Sequence, residues 1–183
     1  MQKEEINAIA SAACEDILLV AKKWSFDQME CLAKEAFGIS FASVSDAKLR
    51  RRIELELISY LIDCEVRFFS AWVPENHTDR ERLDRLYRPR EVDALGKEFL
   101  YALLSCCTKG STREEFDLVK SRIDEYAKCT QQFVVSEEGG KFDQTDCHGF
   151  YMATLASLAG TSYTSHFETR FLGTGSLLLC NTI

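Results

Sequence analysis

Cys147-His148-Gly149-Phe150-Tyr151-Met152-Ala153-Thr154-Leu155-Ala156-Ser157-Leu158-Ala159-Gly160, continued by Thr161 to Phe167, contains no Asp, Glu, Lys or Arg. A run of this length can span a bilayer. Here, however, Ser, Thr, Gly and His recur too often for a lone spanning helix, and no aromatic or basic belts flank it. No membrane span is therefore expected. A helix that is apolar all round belongs in a protein interior, so the stretch predicts a buried, chargeless penultimate helix over Cys147–Gly160. Gly149, Ala153, Ser157 and Gly160 fall along one side at steps of four, four and three. Small residues at that spacing let another backbone approach closely, or leave room for a ligand.

The segments around this stretch also carry helical periodicity. Ile6, Ile9, Ala10, Ala13, Ile17, Val20, Ala21 and Trp24 recur at three- and four-residue steps and predict one face of an amphipathic helix. Ser25 and Asp27 are cap residues for a second helix with Met29, Leu32, Ala33, Ala36 and Phe37 inward, and Gly38 supplies its left-handed stop. After a loop, Ser45 and Asp46 precede a long helix over Ala47–Trp72. Two adjoining apolar rows, Leu49, Ile53, Leu57, Leu61 and Ile58, Ile62, Val66, Phe69, predict that it meets several neighbours. Pro74 ends it.

Thr78 to Arg90 reads as a short, charged surface helix, and Glu91 to about Thr108 as a helix with Val92, Leu95, Phe99, Leu103 and Cys106 inward. Gly110 stops it, and Ser111 with Glu114 forms a capping box for the next helix. That helix presents Phe116, Val119, Ile123, Tyr126, Thr130 and Phe133, and ends at Glu137-Glu138-Gly139-Gly140. A short helix from Ser162 or Thr164 to Phe171 and a flexible or docking apolar tail over 173–183 complete the chain. The expected fold is all-α: a single-domain helical bundle over 1–183 of about six to seven helices, with Ala47–Trp72 and Cys147–Gly160 at its centre.

Composition agrees with a globular body. The chain has 183 residues, with 46% hydrophobic and 28% charged residues, ordinary values for such a domain. Twenty-nine acids against 22 Lys and Arg give a net charge of -7, which disfavours non-specific nucleic-acid binding, a process driven by cations displacing counterions. The N-terminus lacks a basic and apolar signal pattern, so a reducing cytoplasm is expected. The eight cysteines, Cys14, Cys31, Cys64, Cys106, Cys107, Cys129, Cys147 and Cys180, include no C-x-x-C, and most read as small buried hydrophobes. The terminal Cys180-Asn181-Thr182-Ile183 has the layout of a prenylation signal but neither aliphatic middle residues nor an upstream basic cluster.

The residue types that carry chemistry do not converge. Asp143, Asp146, Cys147 and His148 are close in sequence, but adjacent helical residues point about 100° apart, so Cys147 and His148 make no easy nucleophile–base pair. His77 with Asp79 and His166 with Glu168 sit at i,i+2, a spacing that diverges on a helix; no metal site is expected. Arg80, Arg82, Arg85, Arg88 and Arg90 are interleaved with acids and read as salt-bridged surface, while Lys48, Arg50, Arg51 and Arg52 form a second basic run.

No catalytic residue is assigned and no cofactor is indicated. The leading expectation is a non-enzymatic regulatory or interaction protein acting through protein–protein contacts, as a homodimer. The alternative is a sensor-type bundle that binds a small molecule or cofactor beside the 147–160 helix. Its pocket would be lined by Gly149, Ala153 and Ser157, with Tyr101, His148, Tyr151 and His166 as polar handles.

Overall fold

The computed structural model describes residues 1–23, 47–73 and 77–129, together with positions 151, 154, 157 and 158. Among the described residues the elements are five helices, with no strand: α1 (Lys3–Lys23), α2 (Ala47–Trp72), α3 (Asp79–Tyr87), α4 (Ala94–Cys107) and α5 (Arg113–Tyr126). The four later positions are also helical. The expected helix of Met29–Phe37, the 162–171 helix and the 173–183 tail lie outside the described residues. No helix among the described residues is long and apolar enough to cross a membrane.

α2 is the axis of the fold, and it touches each of the other four helices. Its boundaries are those the sequence predicts. Its two apolar rows are buried from Ile53 to Phe69, and Leu55, Cys64 and Ala71 are buried with them. Phe69 stacks on Phe99 of α4, ring centroids 4.0 Å apart and nearly parallel. α1 lies chiefly on α4 and less on α2, and buries Ile6, Ala10, Cys14, Ile17 and Ala21. Ile9, expected inward, is 41% exposed; the buried stripe is narrower than the sequence pattern, because α1 packs on only part of its circumference.

The short helices are fixed by their ends. Thr78 Oγ1 accepts the Glu81 N–H while Glu81 returns to the Thr78 N–H at 2.8 Å, a complete capping box for α3. Asp93 Oδ1 accepts the Gly96 N–H at 2.8 Å and starts α4 three residues later than the sequence reading. Gly110 takes a positive φ of 84° between α4 and α5, a conformation that costs glycine little. The capping box of α5 is Thr112 with Glu115, not Ser111 with Glu114. Either pair satisfies the sequence pattern, and the turn through Gly110 selects the second. α5 ends at Tyr126, and Thr130 and Phe133 lie outside the described residues.

Candidate functional site: a polar seam through the core

The α2 sequence Glu56-x-x-Ser59-Tyr60-x-x-Asp63-x-x-x-Arg67-x-x-Ser70 places polar groups at helical steps of three and four, so they share one side. That side faces the core. Glu56, Ser59, Asp63, Arg67 and Ser70 are all buried, and Arg67 is the bulkiest of the fully buried side chains. Charged groups survive burial only when paired and hydrogen-bonded, and two clusters on this seam meet that requirement.

The lower cluster is a clamp on helix ends. Arg67 Nε donates to Asp63 Oδ2 at 2.7 Å. Its Nη1 donates to the carbonyls of Arg88 at 2.5 Å and Leu86 at 3.4 Å. Its Nη2 donates to those of Tyr126 at 2.9 Å and Cys129 at 3.0 Å. These carbonyls belong to the last turns of α3 and α5 and the residues just beyond, where the helix leaves acceptors unsatisfied and carries partial negative charge. One guanidinium therefore closes two helix C-termini. Arg90 completes the cluster: its Nε lies 2.9 Å from Asp63 Oδ1, held by charge with its N–H off the hydrogen-bond line. Its backbone N–H donates to Ala127 O at 2.6 Å. Arg90 is thus a correction to the surface reading of the arginine run, since its side chain is 3% exposed. Arg82 and Arg88 do pair as surface residues, with Asp79 and Asp84.

The upper cluster joins α2, α5 and the chargeless stretch. Both Glu56 oxygens accept from Arg122: Nε at 2.8 Å to one, Nη2 at 2.7 Å to the other. The Tyr126 hydroxyl also donates to Glu56, and Arg122 also donates to Glu125. Arg122 Nη2 reaches Thr154 Oγ1 at 2.6 Å. Tyr60 stacks on Tyr151 at 5.0 Å and meets Tyr126 edge-on at 5.6 Å. Burial, then the adjacent Glu56 carboxylate, pushes the Tyr126 and Tyr151 phenols above their ordinary value. Burial alone would depress the Arg122 guanidinium, but its bonds to Glu56 outweigh that and raise it. The cluster therefore holds neutral phenols around an ion pair at neutral pH.

The residues singled out from sequence divide three ways. Tyr151 enters the core, beside Tyr60. Tyr101 is 64% exposed on α4, which removes it as an interior handle: its position on the helix turns it away from the inward row of Phe99, Leu103 and Leu104. Ser157 is exposed as well, whereas Tyr151 is buried and Thr154 and Leu158 are half-buried. The stretch thus has an outer side, because the core contacts it at steps 151, 154 and 158. His148, Gly149, Ala153 and His166 lie outside the described residues. Glu56, Tyr60, Asp63, Arg67, Arg90, Arg122 and Tyr126 are the residues that sequence reasoning missed as a group. For Glu56, Asp63 and Arg67 the signal was a polar row at steps of three and four on a helix that also carries two apolar rows; Arg90, Arg122 and Tyr126 lie on other segments.

Among the described residues no group of three His, Cys, Asp or Glu side chains is placed to hold a metal ion. A hollow of about 390 Å³ lies along α3 between His77, Glu81, Asp84, Arg85, Arg88 and Glu91; its mixed charges present no single-sign field. Comparison with known protein families, curated proteins and solved structures finds no match to this chain.

Proposed function

We propose that this chain is a non-enzymatic helical regulatory or interaction protein that acts through protein–protein contacts, with a second copy of itself as its partner. The observation that carries the reading is the engagement of the buried polar groups with one another. Glu56 is taken up by Arg122 and Tyr126, and Asp63 by Arg67 and Arg90. A general base or nucleophile needs a free reach to a reacting atom, and these groups spend theirs on fixing helices. Apolar side chains are also left outside: Leu18 and Leu19 at 40% and 50% exposure, and Trp72 at 47%. Light scattering on the full chain is expected to give twice 20.8 kDa, and Leu18→Lys with Leu19→Lys should return the single mass. A monomer at high concentration would overturn the homodimer.

The alternative, a small-molecule or cofactor-binding bundle, draws support from one observation. The chargeless stretch brings Thr154 to the half-buried Arg122 guanidinium and Tyr151 to Tyr60 beside it, an arrangement suited to holding a polar ligand group. Native mass spectrometry separates the two readings, since a bound ligand adds mass per chain and a homodimer doubles it.

A further inference from the structure

Among the described residues, no side chain of the polar seam lines the hollow of about 390 Å³ along α3. Its walls come from one row of the helix and from the turn that follows. Glu81, Asp84, Arg85 and Arg88 stand three and four residues apart, so they share one side. Arg88 is extended before Pro89, as a residue preceding proline must be, and the chain then places Glu91 in the same lining. His77, half-buried, joins the lining before the helix begins. Some of these groups are already engaged. Arg88 Nε lies 2.8 Å from Asp84 Oδ1, and Glu81 Oε2 accepts from the N–H and the hydroxyl of Thr78, each at 2.8 Å. No ion pair or side-chain hydrogen bond joins Arg85, Glu91 or His77 to another described residue. The hollow thus offers one guanidinium and one carboxylate that its own walls do not use.

We propose that this hollow binds a free α-amino acid with a cationic side chain. Arg85 takes the α-carboxylate, which a guanidinium can hold through two parallel N–H donors, and Glu91 takes the α-ammonium. Three carboxylates against two guanidiniums leave the lining one negative charge in excess, His77 apart, and Glu81 and Asp84 present that excess to the side-chain cation. A lining of both signs suits a zwitterion and opposes a ligand with surplus negative charge. The volume falls within the range of small-molecule sites, about 300–1,000 Å³. Apart from His77 the charged lining residues are exposed, so water screens each contact, and a Kd of about 1 mM is expected. The site shares no residue with the exposed leucines of α1 or with the Tyr151 and Thr154 contacts, so it stands independently of either reading of function.

The test titrates L-arginine into the full-length chain by calorimetry and ligand-observed NMR. L-arginine should saturate one site per chain. Arg85→Gln and Glu91→Gln should each weaken it by about five- to tenfold, with helical circular dichroism unchanged because both positions are exposed. Agmatine, which is arginine without its carboxylate, should bind the parent as weakly as L-arginine binds Arg85→Gln, and should lose nothing further in that variant. L-glutamate should not saturate the site. No saturation by L-arginine up to about 10 mM, L-glutamate binding as tightly as L-arginine, or unchanged affinity in both variants would each overturn the site.

Discussion

Arg67 shows why a charge can sit at the centre of this fold. Its side chain and that of Asp63 are fully buried, and desolvating such a pair costs more than an apolar pair would. The clamp offsets this by supplying donors to four carbonyls at two helix ends, of which only that of Tyr126 is seen to accept a backbone N–H as well, from Cys129. Replacing Arg67 with Met takes a donor from each of those carbonyls and leaves Asp63 with Arg90. The expected loss is about 3–5 kcal/mol of unfolding free energy, read from urea titration; a loss below about 1 kcal/mol would show that the clamp is not needed. Gly96 and Ser70 make a second residue-scale case. A Cβ on Gly96 would lie 2.8 Å from Ser70 Oγ and 3.2 Å from Val92 Cγ1, so α4 approaches α2 through the absence of a side chain. Gly96→Ala should therefore destabilise by about 1–3 kcal/mol. Ser70 Oγ is buried and makes no hydrogen bond, so Ser70→Ala alone should cost little and should recover much of the loss in the double variant. Equal penalties in both backgrounds would show that the contact lies elsewhere.

At the scale of elements, the helices depend on their ends as much as on their faces. α5 is amphipathic and exposes much of its surface, with Val119, Ile123 and Tyr126 as its buried residues. Its N-terminus is held by Thr112 and Glu115, and Glu115 is also drawn by Arg51 of α2 at 2.7 Å. Thr112→Ala should cost about 1 kcal/mol in thermal or urea unfolding. The Arg51 bond, followed by the Thr112 N–H, holds the Glu115 carboxyl below its ordinary value. A depressed carboxyl contributes stability that is present above its unfolded-state pKa and lost as pH falls through the folded one. The gap between the parent and Glu115→Gln should accordingly narrow below about pH 4, and a gap that is constant down to pH 2 would contradict the assignment.

Over the whole molecule, the upper cluster couples α2 to α5 and to the chargeless stretch, so its tyrosines report on the integrity of the body. Tyr126 and Tyr151 have phenols raised above the ordinary value, chiefly by burial. A phenol raised in the folded state contributes stability that is fully present below its unfolded pKa, about 10, and lost as pH rises further. In an alkaline titration followed by phenolate absorbance, Tyr126 and Tyr151 should ionise only together with the loss of helical circular dichroism. Tyr126→Phe should remove one late-titrating phenol. Six early ionisations in the folded protein would mean that the cluster is open to water.

The sequence determined the helical class, the limits of Ala47–Trp72, its two buried apolar rows and the stop at Gly110, because periodicity, caps and glycine act over a few residues. It placed Ala47–Trp72 and Cys147–Gly160 together at the centre; the described core is organised around the former, although that helix carries Glu56, Asp63 and Arg67, and most of the latter lies outside the described residues. Charge excludes a helix from the interior only when the charges stay unpaired, and their partners Arg90, Arg122, Tyr126 and the carbonyls of α3 and α5 are distant in sequence. Tertiary structure alone decided those pairings, moved Arg90 from surface to core and left Tyr101 in solvent. The reason is physical: a hydrogen bond or ion pair is fixed by distance in space, and one helix's own spacing carries no information about what packs against it.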